Sequence, residues 1–478
     1  VRATVGGAQS DFRLSLPRLL GFSTPGFCVG ALAIALGVYL PRYYAGHFGL
    51  GLPLVGLAFS VIRVGDTLLD PLIGVWMDRT RSRLGRYRIW LALGVPVLLL
   101  GVYTLFEPTG GVGVGYLLFW LLIYFVGASL ITLSHASWAS VIAANYNERS
   151  RVFGAIQLMG VIGAAATLIL PIAMAKHDGS GGRGDVPAMG WLVIISCAVG
   201  VALALMTTPE HVITEKRGET YKLRDYWEMV SRPDMARIIV ADFCLALGPG
   251  WMAALYLYYF HDARGFTIGA SSLLLFIYVC AGMLGAPILS VVATRIGKHV
   301  TLMGAAMVYS VGLVVQSFAP KGAFGIVAVM MFALGFAASC FPLLDRAMVA
   351  DVGDAIRLEK GKNRISLLYA MITTTQKLAT ALSIGFSFTV LGWLGYQAQD
   401  GATNTPAAIL GLQLVYILGP IVFVMIGGAC FIGYKLDGKR HAEIRRGLAI
   451  AEAMSVEAPI LESLSGDAGA PRPAVGPA

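Results

Sequence analysis

Asp66 and Asp70 stand four residues apart inside the apolar run from Leu52 to Met77, with Arg63 three residues ahead and Pro71 directly after the second acid. On a helix that spacing puts both carboxyls on one face, about 6 Å apart along the axis, with Arg63 a turn below. Two carboxylates that close repel by about 2–3 kcal/mol at an effective dielectric of about 20 unless a cation lies between them. Each charge at the centre of a hydrocarbon span costs roughly 2.5–3.5 kcal/mol on insertion scales, so three in one span mark a functional site. The chemistry such a pair performs is the capture and release of a proton or a metal cation. A role for Arg63 as a mere neutraliser of Asp66 during insertion would leave Asp70 unexplained.

A second intramembrane cation follows a polar run late in the chain: Lys377 comes after Thr373-Thr374-Thr375-Gln376. A buried ammonium needs a partner, and Asp66 or Asp70 is the natural one. Lys377 is expected to face a central cavity as an exchangeable counter-ion, with Thr373 and Gln376 beside it as candidate substrate contacts. Ser134 and Trp138 lie one turn apart, where a cavity face could run, and the indole could stack on a sugar ring or pack against a neighbouring helix. His135 points about 100° away from Ser134, so a hydrogen-bonded packing histidine is expected there before a proton relay. Gln157 is a further candidate wall residue. Arg42, Tyr43 and Tyr44 end an apolar run like an interface anchor. Asp242 has no obvious assignment, and a local ion pair is the expectation for Asp345-Arg346.

The elements that must position these groups are membrane helices. The chain has 478 residues, 57% hydrophobic and 13% charged, with a mean hydropathy of +0.73, a balance no soluble domain carries. Twelve apolar spans are expected, at 17–44, 52–77, 89–106, 114–145, 152–174, 191–208, 236–260, 268–293, 300–318, 323–350, 364–395 and 409–434. The net charge of +9 comes from basic residues in short connections, which fits positive-inside topology better than nucleic-acid binding. Both termini are then expected in the cytoplasm, with the chain in the inner (plasma) membrane and no cleaved leader. The expected organisation is an N-tail at 1–13, a six-helix bundle at 14–208, a central cytoplasmic loop at 209–235, a second bundle at 236–434 and a partly disordered tail at 435–478. Within the loop, Tyr221 to Met235 could be an interfacial amphipathic helix or a plain connector, and the glycine-rich Ala175–Gly190 reads as a flexible outer loop. All six cysteines lie in apolar runs without metal-ligand spacing. The spans contain no HExxH, no Ser/Lys pair and no paired metal ligands, which speaks against an enzyme.

The halves echo each other. Pro71-Leu72-Ile73-Gly74 before an arginine-rich turn is answered by Pro287-Ile288-Leu289-Ser290 before Thr294-Arg295-Ile296-Gly297-Lys298, and the Arg149–Arg151 turn by Lys360–Arg364. Parallel duplication of this kind builds major-facilitator transporters, with the site at the midplane between halves. Asp66 and Asp70 align with Gly282 and Ala286, so the acids belong to one half alone.

On the Arg63…Asp66…Asp70-Pro71 helix with its Arg-Ser-Arg-Leu-Gly-Arg turn, Trp138 before Asn147-Glu148-Arg149, Met348-Val349-Ala350-Asp351 and Gln376-Lys377, the chain resembles the glycoside–pentoside–hexuronide:cation symporters. This is the major-facilitator branch containing the melibiose permease, and the resemblance covers about 14–434. It implies an all-α integral membrane protein of the major-facilitator fold, with twelve transmembrane helices in two pseudo-symmetric six-helix bundles. It also implies that Asp66 and Asp70 hold the coupling cation with Lys377 nearby. Two departures narrow the expectation. Gly30 and Ser134 stand where the melibiose permease has the acids that hold its galactoside, so a galactoside is not implied. Leu69 stands where the sodium-using member has an asparagine, which removes an oxygen ligand and favours H⁺ over Na⁺. The expected function is a monomeric, cofactor-free, cation-coupled symporter of a sugar or glycoside working by alternating access. The alternatives are a transporter of a lysolipid or other amphiphile and, remotely, a membrane receptor without turnover.

Overall fold

The computed structural model describes residues 14–450 except 81, 83–84, 143–145, 175–184, 209–222, 361–363, 437, 439 and 449. The N-tail, most of the glycine-rich loop, the first half of the central loop and the end of the tail therefore lie outside the described residues, as do Arg81, Arg83, Leu84 and Lys362 in the basic turns. All regular structure in the described part is helical. Eleven stretches are long and apolar enough to cross a membrane. The first six long helices run Leu16–Gly46, Leu52–Arg79, Arg88–Phe106, Val114–Ile142, Tyr146–Met174 and Asp185–Thr207. The last six run Pro233–Ala263, Ile268–Ile296, Lys298–Ser317, Phe324–Glu359, Ile365–Trp393 and Pro406–Ala429. The helix outside the apolar eleven is Ile365–Trp393, the eleventh in order, whose Thr373–Lys377 run dilutes its hydropathy. Between the two groups lies a short helix, Leu223–Val230.

Small residues let the helices approach within each bundle, because lipid tails compete with any purely apolar attraction and close backbone contact must supply the packing. A Cβ on Gly30 or Gly163 of the first and fifth helices would run into the carbonyls of Gly160 and Phe27. The second bundle repeats the device where the eighth helix meets the tenth: a Cβ on Gly335 would strike the carbonyl of Tyr278, and one on Gly285 would lie 2.5 Å from the carbonyl of Phe336. Gly30, expected at a substrate position, is thus first of all a packing position.

The bundles meet chiefly along two helix pairs, the second on the eleventh and the fifth on the eighth, and the first helix also touches the seventh. Those pairs exchange when the halves are swapped, as a pseudo-two-fold axis requires. The first and seventh helices each contain a π-helical turn, at Ala35–Tyr39 and Tyr259–Ala263, near the same end of the molecule. Such turns break the regular hydrogen-bond ladder and are frequent at functional positions.

Candidate cation site and central cavity

The second helix delivers Asp66 and Asp70 to the seam between bundles, and the eleventh delivers Lys377 from the other side. Lys377 Nζ forms an ion pair with Asp70 and lies 3.6 Å from Asp66 Oδ2. The fourth helix supplies the remaining partner: Ser129 Oγ donates to Asp66 Oδ1 at 2.7 Å. Asp66 is buried at 3% exposure. Asp70 Oδ1 is also buried and has no hydrogen-bond partner. Arg63 does not reach either acid; its guanidinium stacks over the Phe125 ring at 4.7 Å, where the π-face supports a cation without neutralising a carboxylate.

Asp66, Arg63 and Lys377 border a cavity of about 490 Å³ between the bundles. Its polar groups come from Ser129 and Thr132 on the fourth helix and Thr380 and Ser383 on the eleventh, while Val29, Leu32, Ile34, Leu36 and Leu98 make most of the remaining wall apolar. A side chamber of about 400 Å³ shares Val29, Ala33, Ile34 and Thr132 with it and is bordered by Gly30, His135, Gln157, Phe153 and Ile156.

Several expected contacts fall elsewhere. Ser134 is buried and bonds the Leu130 carbonyl of its own helix at 2.6 Å. Trp138 is fully buried, edge-on to Phe22 at 5.0 Å and 5.8 Å from the Arg88 guanidinium, so it packs inside the first bundle. The cavity face of the fourth helix is instead the strip Phe125, Ser129, Thr132. Ser129 and Thr132 do not stand out in the sequence, because a hydroxyl in an apolar helix ordinarily bonds its own preceding turn; their spacing of three residues is the available signal. His135 bonds the Phe22 carbonyl at 2.8 Å and borders the side chamber. Thr373 is exposed and bonds the Tyr369 carbonyl at 2.9 Å. Gln376 turns to Asp242, donating to its Oδ1 at 2.9 Å.

Two other expectations are corrected. Asp345 and Arg346 form no ion pair: Asp345 points into the bundle, while Arg346 Nη2 reaches Gln376 Oε1 at 3.4 Å. Arg42 ties the two bundles together, donating to the Leu257 carbonyl at 3.1 Å with Asp262 at 3.7 Å. Around it, Tyr39 and Ser272 share a hydrogen bond of 2.7 Å, Asp400 N donates to the Gly46 carbonyl at 3.0 Å, and Ser60 Oγ donates to the Ala381 carbonyl at 2.7 Å. These bonds close the seam on the Leu52 side of the acids.

The family described as MFS/sugar transport protein matches residues 21–438. The chain belongs to this family. Its members and this chain are transporters of the major-facilitator fold, embedded in a membrane by multiple helices. The isoprimeverose transporter of Lactiplantibacillus pentosus is 23% identical over 84% of this chain and 85% of its own length. Sodium-dependent lysophosphatidylcholine symporter 1-B of Danio rerio is 22% identical, over 92% of this chain and 90% of its own. The crystal structure of the nucleoside transporter NupG superposes with a TM-score of 0.65 at 15% identity, covering 88% of this chain and 100% of that one. That likeness describes the shared fold.

Proposed function

We propose that the protein is a proton-coupled symporter of a sugar or glycoside, and that Asp66, Asp70 and Lys377 couple the ion to the cargo. The observation that carries this reading is the ammonium of one bundle held between the two carboxyls of the other. When no ion is bound, Lys377 neutralises one of the two acids and leaves one negative charge at the seam for an arriving cation. A proton arriving at the Asp66–Asp70 pair, where Asp70 Oδ1 is an unfilled acceptor, cancels one negative charge and weakens the hold of the acid helix on the ammonium. The seam at the midplane then depends on ion occupancy, which is the requirement for coupling the ion to alternating access.

A proton suits the site better than sodium. Na⁺ wants a shell of several oxygen ligands, as hard cations do, and Leu69 offers none. One Asp66 oxygen is already engaged by Ser129, and no cluster of metal-ligating side chains is present among the described residues. With the basic turns taken as cytoplasmic, the end closed by Arg42, Tyr39 and Asp400 is the outer one.

The cargo binds in the 490 Å³ cavity, its hydroxyls meeting Ser129, Thr132, Thr380 and Ser383. One observation favours the second reading, an amphiphile: the wall is largely apolar, and a second chamber shares four of its residues. The test is a panel of sugars, alkyl and aryl glycosides and lysolipids, screened for thermal stabilisation of the purified protein and then for uptake into proteoliposomes under a pH or a sodium gradient. A sugar or glycoside driven by the pH gradient is expected. Lysolipid stabilisation alone, or drive by sodium alone, would overturn the corresponding half of the proposal.

A further inference from the structure

The second bundle carries a carboxyl pair that the coupling site does not use. Asp345, on the tenth helix, is 1% exposed, and so is Asp242 on the seventh. Asp345 Oδ1 and Asp242 Oδ2 are both buried without a hydrogen-bond partner. Arg346, next to Asp345 in the chain, reaches with its guanidinium the same Gln376 amide that bonds Asp242. Asp242 Oδ1 accepts the Gln376 amide at 2.9 Å, and Gln376 precedes Lys377 in the chain.

Among the described residues one cation, Arg346, acts on the pair, while Arg237 on the seventh helix holds the Ile432 and Gly433 carbonyls. On the tenth helix, Arg346 acts on Asp242 at a distance and reaches Gln376 Oε1 at 3.4 Å, while Cys340 is neutral. On the eleventh, Lys377 is held by Asp70 and Asp66, and Tyr369 donates to the Arg346 carbonyl at 3.4 Å. From the ninth, Tyr309 donates to Met252 Sδ at 3.3 Å, and Lys298 is 2.6 Å from Asp351. Cys430 and Tyr434, after the twelfth helix, add no positive charge. Two ionised carboxyls against one guanidinium would leave a surplus negative charge in the bundle interior. Burying such an uncompensated charge costs several kcal/mol, so the pair takes up a proton instead.

We propose that Asp242 and Asp345 form a second proton-binding site, in the second bundle, that holds one proton on one of its two carboxyls, and that Gln376 links it to the Lys377 ion pair. The ligand is a proton because the pair lacks the oxygen shell a metal cation needs, and no metal-ligating cluster occurs among the described residues. The site lies on a different face of the eleventh helix from Asp66 and Asp70, since Gln376 and Lys377 are consecutive and point about 100° apart. Any movement of that helix that shifts Lys377 also shifts the one donor Asp242 has.

Infrared difference spectroscopy of the full chain in lipid, with dicyclohexylcarbodiimide labelling read by peptide mass, tests this. At about pH 7, where an ordinary carboxyl is ionised, the wild type is expected to show a protonated-carboxyl band and carbodiimide adducts on Asp345 or Asp242. Asp345→Asn, which copies the shape of the protonated acid, should remove the band. Asp66→Asn/Asp70→Asn should leave it, which separates this site from the coupling site. Raising the pH should abolish both signals, and sodium should not. Absence of band and adduct in the wild type, survival of the band in Asp242→Asn/Asp345→Asn, or displacement of either signal by sodium would each overturn the proposal. The wild-type labelling needs no variant to fold.

Discussion

Ser129 Oγ donates a 2.7 Å hydrogen bond to Asp66 Oδ1, joining the fourth helix to the acid face of the second. A bond of this kind to a charged acceptor contributes about 1.5–3 kcal/mol and favours the carboxylate over the acid. Ser129→Ala should therefore make Asp66 release its proton less readily. The alkaline limb of the pH–uptake profile should move to higher pH by about one unit, with the folded protein retained. An unchanged profile in proteoliposomes would remove Asp66 from the coupling chemistry.

Lys377 is the counter-charge of both acids. Replacing it by Met leaves two carboxyls at the seam without a cation, and breaking a buried pair from one side costs about 3–5 kcal/mol. Lys377→Met should lower the thermal stability of the purified protein and abolish coupled uptake. Adding Asp70→Asn should recover much of the stability without recovering uptake. Equal stability of the single and double variants would argue against the pairing.

The bonds of Arg42 to Leu257 and Asp262, and of Tyr39 to Ser272, close one end of the seam. Arg42→Ala with Tyr39→Phe should shift the population toward opening at that end. Gly37 borders the cavity and faces open space, so Gly37→Cys in a cysteine-free chain reports access. Its labelling by a membrane-impermeant thiol reagent applied on the Leu52 side should rise several-fold in the double variant. No change would mean that other contacts hold the end shut.

Helix packing in the first bundle predicts a sharp contrast between two glycines. Gly30→Val drives a side chain into the Gly160 backbone, whereas Gly37→Ala meets nothing within 4 Å. Overpacking that displaces backbone costs about 1–3 kcal/mol or more. Thermal unfolding in detergent should show a clear loss for Gly30→Val and little change for Gly37→Ala.

The helical architecture was legible because a hydrocarbon span leaves a long apolar run that no other element requires, and the acids were legible because charge in such a run has no cheap explanation. Lys377 stood out on the same ground. The cavity wall was not legible. Ser129 and Ser134 look alike in sequence, and only the rotation of the fourth helix turns Ser129 toward Asp66 while Ser134 bonds its own turn. Trp138 could not be placed from sequence because an indole suits a sugar face and a helix seam equally well. Arg42 looked like a membrane anchor because its partners, Leu257 and Asp262, are more than 200 residues away in the chain. Gln376 could not be assigned without knowing that the seventh helix brings Asp242 to it.

The central claim is that Asp66 and Asp70 couple an ion to cargo movement. Its most direct test uses proteoliposomes containing the wild type or Asp66→Asn/Asp70→Asn, with the sugar or glycoside that most stabilises the protein as the labelled cargo. Counterflow down a cargo gradient and accumulation driven by an imposed pH gradient are measured side by side. The variant should keep counterflow and lose accumulation; accumulation equal to the wild type would contradict the account.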